Sequence, residues 1–231
     1  ASAEEVRAIL ENLKHPAAAP PTLTAAYSTL DRIARGQLVG RDRERTELIA
    51  LWNQATSGEG QTILVSGEPG IGKTRLVHEL ISLADASGGK VLAEGCHAEG
   101  GPPYAPLAAA IRETLEHSDG PDVPNFVLAD LLTLAPHLRP RYPHVLPNPS
   151  LDPQFERQRM LDSFVTWCET LAAQAPLLLV VEDVHWADGG TLTLLRHLAR
   201  RVSKARLLLV MTYRGTEIEL DQAQPIHSIL L

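Results

Sequence analysis

Four short runs of the chain are continuously apolar, and longer segments with helical spacing of apolar residues lie between them. The runs cover residues 62–66, 90–94, 177–182 and 206–212. Strands buried on both faces of a parallel sheet show this continuous pattern, whereas half-exposed strands alternate. The repeated order of strand and helix predicts an α/β fold, in which helices cover both faces of a parallel sheet.

Helices are predicted at residues 73–86, 106–116, 154–173 and 190–202, where apolar residues recur every three or four positions. The segment 118–153 is different, because eight prolines surround one short apolar stretch at 126–134. Proline removes backbone donors and disfavours helix before it. We therefore predict an irregular insertion that contains one helix.

The N-terminal part has a separate organisation. Residues 3–14 place Val6, Ile9, Leu10 and Leu13 at helical spacing, and residues 15–24 are rich in proline and small side chains. This composition is typical of a linker. We predict a helix and linker over residues 1–35 and one α/β domain over residues 36–231.

Composition excludes several classes of function. The chain has 28 acidic and 21 basic residues, a formal charge of -7, so no broad basic surface is expected to bind nucleic acid directly. The two cysteines, Cys96 and Cys168, are far apart and suggest neither zinc nor a disulfide. No apolar run reaches the roughly 18 residues that span a bilayer, and no signal peptide is visible, so we expect a cytoplasmic protein without membrane contact.

A phosphate-binding loop follows the first apolar run. Residues 67–74 are Gly-Glu-Pro-Gly-Ile-Gly-Lys-Thr, between a predicted strand and a predicted helix. Glycine allows backbone amides to converge on a polyanion, and the helix N-terminus points its amides to the same place. The predicted nucleotide-binding residues are Gly67, Glu68, Pro69, Gly70, Ile71, Gly72, Lys73, Thr74 and Arg75. A chance glycine-rich turn is the alternative, which the flanking strand and helix disfavour.

Two residues of the loop have distinct chemical roles in this prediction. Lys73 is expected to contact the β- and γ-phosphates of ATP, and the Thr74 hydroxyl is expected to bind the Mg²⁺ that bridges them. ATP or ADP with Mg²⁺ is therefore the predicted ligand of the domain.

A pair of acidic residues ends the third apolar run. Glu182 and Asp183 follow five apolar residues, at the edge of a parallel sheet where ligands bind. One carboxylate is expected to hold Mg²⁺ and the other to polarise the attacking water, and the sequence leaves the assignment open because Glu182 is longer than aspartate. The alternative is two surface acids at a strand end.

Three further side chains near these acids are candidates. His185 and Asp188 could orient Asp183 or sense the γ-phosphate. For His185 a structural role is an equal alternative, and for Asp188 a role as helix N-cap before Thr191 is favoured. Arg214 follows the fourth apolar run, where it is either an ordinary surface arginine or a contact for the γ-phosphate, from its own or an adjacent protomer.

These segments together resemble the ATPase domain of bacterial signal-transduction ATPases, the STAND branch related to AAA+ proteins. Such domains occur in large LuxR-type and SARP-type transcription regulators and in some adenylate cyclases. The resemblance covers roughly residues 36–231 and rests on the segments 38–44, 67–74, 103–107, 181–188 and 212–214. It implies a P-loop NTPase fold, adenine contacts from Val39, Gly40 and Arg41, and a sensor role for Arg214.

The resemblance also predicts a missing part. Residues 229–231 look like part of an amphipathic helix, so the chain is expected to lack the last strand and the lid domain of the family. The strand before the phosphate-binding loop would then lie at an unpaired edge of the sheet. We therefore interpret the chain as a fragment or as a truncated relative of the family.

The function that the resemblance implies, together with these residues, is a slowly hydrolysing nucleotide switch. It would act through self-association or through neighbouring domains of a signalling or transcriptional regulator. A turnover ATPase or a kinase with a second substrate is the alternative, and a nucleotide-binding interaction scaffold is the third reading. Intact Lys73, Thr74, Glu182 and Asp183 disfavour a scaffold that has lost its chemistry.

Overall fold

A computed structural model of the protein describes residues 40–117, 122–215 and 226–231. The predicted N-terminal helix, the linker and Val39 lie outside these residues. The predicted boundary at residue 35 stays a prediction for the same reason. No helix in the described ranges combines the length and the apolar character that crossing a bilayer requires.

Five parallel strands form one sheet. They are β1 (Gln61–Gly67), β2 (Lys90–Gly95), β3 (Leu177–Glu182), β4 (Leu207–Arg214) and β5 (Ile226–Leu230). The spatial order is β2-β3-β4-β1-β5, and each neighbouring pair runs parallel. The four strands predicted from continuous apolar runs are confirmed, with bounds that differ by at most two residues at either end.

The prediction that the last strand is missing is wrong. β5 pairs with β1 in parallel register, with Val65 opposite Ile229, and the Leu231 amide donates to the Ser66 carbonyl at 2.9 Å. A short apolar run fits a helix or a strand equally well by periodicity. The open edge of β1 decides between them, because its unpaired backbone groups need partners. β1 is therefore flanked on both sides, by β4 and by β5.

Six α-helices occur in the described residues, and one of them was not predicted. They are α1 (Asp42–Thr56), α2 (Lys73–Ala86), α3 (Ala105–His117), α4 (Asn125–Leu134), α5 (Pro153–Gln174) and α6 (Gly189–Ala199). The unpredicted helix is α1, although Leu48, Leu51, Trp52 and Ala55 show the spacing of a buried helical face. The single helix predicted within the proline-rich segment is α4.

Helices cover both faces of the sheet, as predicted. Alternate residues of each strand face opposite sides. One set, which includes Leu64, Leu179 and Leu209, joins a large apolar core with α3, α4, α5 and α6. α1 and α2 pack against the sheet through the residues between, such as Ile63 and Val210. The fold therefore leaves the carboxyl-end edge of the strands, where the predicted site residues lie, between two helical layers.

An ion pair fixes α4 against α5. Asp130 is buried, accepts from Arg159 at 3.1 Å, and also accepts from Asn148 at 2.8 Å and Ser163 at 2.8 Å. Asn148 lies in the segment that leads to α5, so one carboxylate joins two parts of the predicted insertion to α5. A buried carboxylate with this many donors is satisfied rather than strained.

Replacing Asp130 with alanine should destabilise the fold. The change leaves Arg159, Asn148 and Ser163 without their common acceptor, and we expect a loss of about 2 kcal/mol, because Arg159 is partly exposed and is rehydrated. Urea unfolding measures the loss. The exposed Asp85 serves as the control, since Asp85→Ala should change stability by less than about 0.5 kcal/mol. Equal midpoints for the two variants would contradict this account.

Glu94 carries an ionisable group into the core. It lies two residues beyond Leu92 on β2 and so faces α3, and its Oε1 has no hydrogen-bond partner in the described residues. Burial raises the pKa of the Glu94 carboxyl to about 7; Glu113 raises it further and Arg112 lowers it. The folded protein therefore holds a proton here that the unfolded chain releases at lower pH.

The contribution of Glu94 to stability should therefore fall as pH rises from about 4.5 to about 7. In this window the folded state binds more protons at Glu94 than the unfolded state, and ionising the carboxyl costs about 3 kcal/mol. Glu94→Gln removes the titrating group. We expect the free energy of unfolding, measured in urea at pH 5 and pH 7.5, to decrease less in this variant than in the wild type. The same pH dependence in both proteins would exclude Glu94 as its source.

Candidate functional site

The phosphate-binding loop connects β1 to α2 in the conformation its glycines predict. Gly70 has φ 80° and Gly72 has φ 104°, values in the left-handed region that favours glycine. Gly72 is the N-cap of α2, so the helix begins at Lys73 with its free amides directed into the loop. The exposed residues Glu68, Pro69, Ile71 and Arg75 line the outer side of the loop.

The Lys73 side chain is folded into this loop. Its ammonium donates to the Gly67 carbonyl at 2.8 Å and to the Glu68 carbonyl at 3.0 Å, and the residue is only 7% exposed. Burial lowers the pKa of Lys73, while the nearby Asp183 carboxylate opposes the change. A buried cation encircled by amides and carbonyls is suited to bind a phosphate as a point charge.

Thr74 and Glu182 join the start of α2 to the end of β3. The Thr74 hydroxyl donates to Glu182 Oε2 at 2.7 Å, although 108 positions separate the residues. Glu182 is buried, and its carboxylate lies at the edge of the sheet beside the loop. Hydroxyl and carboxylate oxygens are the ligands that Mg²⁺ prefers, so this pair fits the ion.

The Mg²⁺ ion expected here would be bound by phosphates as well as by the protein, and not by protein side chains alone. No cluster of three or more His, Cys, Asp or Glu side chains that could hold a metal occurs within residues 40–117, 122–215 and 226–231. Mg²⁺ commonly binds through one or two protein oxygens, several waters and substrate phosphates. Thr74 and Glu182 would supply the protein oxygens of such a site.

Asp183 occupies the turn directly after β3. Its φ of 54° is left-handed, which aspartate tolerates, and its amide donates to the Thr212 hydroxyl of β4 at 2.8 Å. The backbone is therefore fixed to the neighbouring strand. The side chain is 28% exposed, and Arg214 Nε donates to its Oδ1 at 3.4 Å. Asp183 thus faces the open side of the site, whereas Glu182 faces Thr74.

His185 packs among rings close to Asp183. Its Nδ1 lies 3.8 Å from Asp183 Oδ1, and its ring contacts Trp186 and Tyr213 at centroid distances of 4.5 and 5.7 Å. Neither ring nitrogen forms a hydrogen bond to any of the described residues. Burial lowers the pKa of His185, although Asp183 opposes the change. A neutral ring in van der Waals contact is the state that this environment favours.

Asp188 is the N-cap of α6, as its position predicted. Its carboxylate accepts from the amides of Gly190 at 2.9 Å and Thr191 at 3.1 Å, and also from the Thr191 hydroxyl. It accepts from the Tyr104 amide at 3.0 Å as well, a contact between loops that sequence analysis missed. A Cβ on Gly190 would lie 2.6 Å from the Tyr104 ring, so a larger residue there would require the ring to shift.

Sequence analysis also missed the immediate neighbours of Arg214 and Asp183. The Arg214 guanidinium lies over the Trp186 ring, with 4.3 Å from Cζ to the ring centroid. Trp186 belongs to the same narrow motif as His185, but spacing alone gives no partner for its ring. Thr212, which holds the Asp183 amide, resembled any strand residue. The adenine contacts proposed for Gly40 and Arg41 stay predictions; Gly40 has φ 82°, and Arg41 pairs with Glu44 at 2.9 Å at the start of α1.

Comparisons with known proteins agree with this architecture. Residues 37–210 match the family described as AAA ATPase domain. An uncharacterised protein of Rhizobium meliloti (strain 1021) is 29% identical over an alignment of 211 residues, and the match covers 84% of this chain and 20% of that protein. The chain thus spans about a fifth of the length of this curated relative.

Similar solved structures include PCH-2 of C. elegans and a Drosophila ORC chain. The PCH-2 chain is 13% identical with a TM-score of 0.38, over 89% of this chain and 46% of that one. The ORC chain comes from a complex bound to GC-rich DNA and Cdc6, and is 12% identical with a TM-score of 0.40, over 84% and 62%.

Proposed function

Because the chain belongs to the AAA ATPase domain family, we propose that it binds ATP with Mg²⁺ and works as a slowly hydrolysing nucleotide switch. The family itself implies nucleotide binding. The switch, its place in a bacterial signalling or transcriptional regulator, and the identity of the residues that act are the parts that we add.

The contact between Thr74 and Glu182 carries this proposal. It brings the hydroxyl of the phosphate-binding loop within 2.7 Å of a buried carboxylate at the end of β3, which β4 separates from β1. Lys73 lies in the adjacent loop, and Asp183 and Arg214 lie on the open side of the same edge. A buried carboxylate that lies beside a helix N-terminus and a cation fits a Mg²⁺ ion that is also bound to phosphates.

The geometry favours one division of roles between the two acids. Glu182 accepts from Thr74, so we assign it to the metal together with that hydroxyl. Asp183 is more exposed and lies against Arg214, so we assign it to the water that attacks the γ-phosphate. Mg²⁺, when bound, neutralises charge on the β- and γ-phosphates. Lys73 and Arg214 would stabilise the negative charge that develops in the transition state.

The contacts of the neighbouring segments suggest how nucleotide binding affects other parts of the fold. The β3 end is tied to β4 by the Asp183–Thr212 contact and to the 103–107 segment by Asp188. A γ-phosphate that attracts Arg214 and orders Asp183 therefore acts on several elements at once. We propose self-association or rearrangement of neighbouring domains as the response. Adenine binding by Val39, Gly40 and Arg41 belongs to the same proposal.

A rate measurement separates the switch from an enzyme whose turnover is its purpose. We expect the purified protein to hydrolyse Mg-ATP at well below about one per second, the lower end of ordinary enzyme rates. Release of inorganic phosphate under saturating ATP measures this. Turnover of about one per second or faster would contradict the switch and favour a turnover ATPase. ATP-dependent phosphorylation of an added acceptor would favour a kinase.

A further inference from the structure

The Arg214 side chain is held between an aromatic ring and a carboxylate. Its Cζ lies 4.3 Å from the Trp186 ring centroid, and its Nε donates to Asp183 Oδ1 at 3.4 Å. The side chain is 40% exposed, so burial in the core does not fix it. The 3.4 Å contact is long for a charge-assisted hydrogen bond. The ring is therefore a principal determinant of where the guanidinium lies.

Trp186 is itself well anchored. It ends the 3₁₀ turn Val184–Trp186, and its amide donates to the Asp183 carbonyl at 2.9 Å. The indole packs against the large core and against the His185 ring. Because the Trp186 ring is fixed and the Arg214 side chain is long and exposed, the ring determines the position of the guanidinium.

Arginine has many rotamers in water, and binding a phosphate fixes one of them. Holding the guanidinium near its working position beforehand reduces that entropic cost. We propose that Trp186 is a positioning residue, which holds Arg214 by a cation–π stack for the terminal phosphate of the nucleotide. This inference rests on the proposed function, since it assigns Trp186 a part in distinguishing ATP from ADP at the same site.

A structural explanation of Trp186 competes with this proposal, because the indole also fills space beside the core. Two substitutions separate the explanations. Trp186→Leu keeps an apolar side chain and removes the aromatic face, whereas Trp186→Phe keeps a face on which a guanidinium stacks. If only packing matters, neither substitution should change the ratio of ATP to ADP affinity.

The test is the ratio of ATP to ADP affinity, measured by calorimetry with Mg²⁺. We expect Trp186→Leu to lower the ratio about 3- to 10-fold and Trp186→Phe to keep it within about 2-fold of wild type. Arg214→Ala should lower the ratio at least as much. In the double variant Trp186→Leu with Arg214→Ala, we expect no further loss, because Trp186 acts only through Arg214.

Two results would overturn the proposal. One is an unchanged ratio in Trp186→Leu; the other is a further loss when Trp186→Leu is added to Arg214→Ala. A wild-type protein that binds no nucleotide would instead refute the proposed function. The contact between Arg214 and Trp186 therefore also needs a measurement that does not depend on nucleotide binding.

Tryptophan fluorescence provides this readout without nucleotide. Of the three tryptophans in the chain, Trp52 and Trp167 are buried and Trp186 is half-buried. Acrylamide quenching therefore reports mainly on Trp186. Arg214→Ala should increase quenching because it uncovers one face of the ring, whereas the exposed Arg196→Ala should leave it unchanged. Equal quenching of wild type and Arg214→Ala would show that the stack does not form and would overturn the proposal.

Discussion

Lys73→Ala should lower the affinity for Mg-ATP at least about 100-fold, or about 2.7 kcal/mol. Lys73 is the buried cation of the phosphate-binding loop. Its ammonium donates to two carbonyls of the loop that is expected to bind the phosphates. The loss corresponds to removing a charge-assisted contact between a buried cation and a phosphate. Calorimetric titration of both proteins with Mg-ATP measures it.

A matched lysine controls for the general effect of charge. Lys204 is exposed, and it lies before β4 at the opposite edge of the sheet from the loop. Lys204→Ala should bind Mg-ATP as the wild type does. If Lys73→Ala also bound with wild-type affinity, the assignment of residues 67–74 to nucleotide binding would be wrong.

Substitutions of the two acidic residues should have different effects. Asp183→Asn should keep Mg-ATP binding and lower hydrolysis about 100- to 1,000-fold, because the amide cannot accept the proton of the attacking water. Glu182→Gln should weaken the apparent affinity for Mg²⁺ about 10- to 100-fold, because a neutral oxygen replaces the carboxylate beside Thr74. Titration of ATP binding against Mg²⁺, together with phosphate release, separates the two effects.

Glu59 provides the control for these substitutions. It is an exposed acid in the loop before β1, and Glu59→Gln should leave both Mg²⁺ dependence and hydrolysis unchanged. The opposite pattern, with Mg²⁺ dependence lost in Asp183→Asn and hydrolysis alone lost in Glu182→Gln, would exchange the roles proposed for the two residues.

Much of the site was accessible from sequence because parallel strands end at a common edge. Gly67, Lys73, Glu182 and Arg214 belong to three strands and one helix start, and the structure brings them to that edge. Continuous apolar runs located the strands, and glycine spacing located the loop. The division of roles between Glu182 and Asp183 was not accessible, since it depends on which carboxylate faces Thr74.

The two differences between the predicted and the observed fold have separate origins. The apolar residues of β5 fit a helix or a strand, because five residues are too few for periodicity to distinguish the two. What specifies it is the unpaired edge of β1, a tertiary property. α1 differs, because its apolar face is visible in the sequence at Leu48, Leu51, Trp52 and Ala55. The Trp186–Arg214 stack joins a turn to a different strand, and spacing along the chain carries no signal for such a contact.

The most direct test of the account is calorimetric titration of the wild-type protein with ATP, in the presence and in the absence of Mg²⁺. The Thr74–Glu182 pair beside Lys73 predicts saturable binding in the micromolar range with Mg²⁺, and weaker binding when the metal is removed. Absence of binding under both conditions would contradict nucleotide binding by this domain. Equal affinity with and without Mg²⁺ would contradict the role of Thr74 and Glu182 as metal ligands.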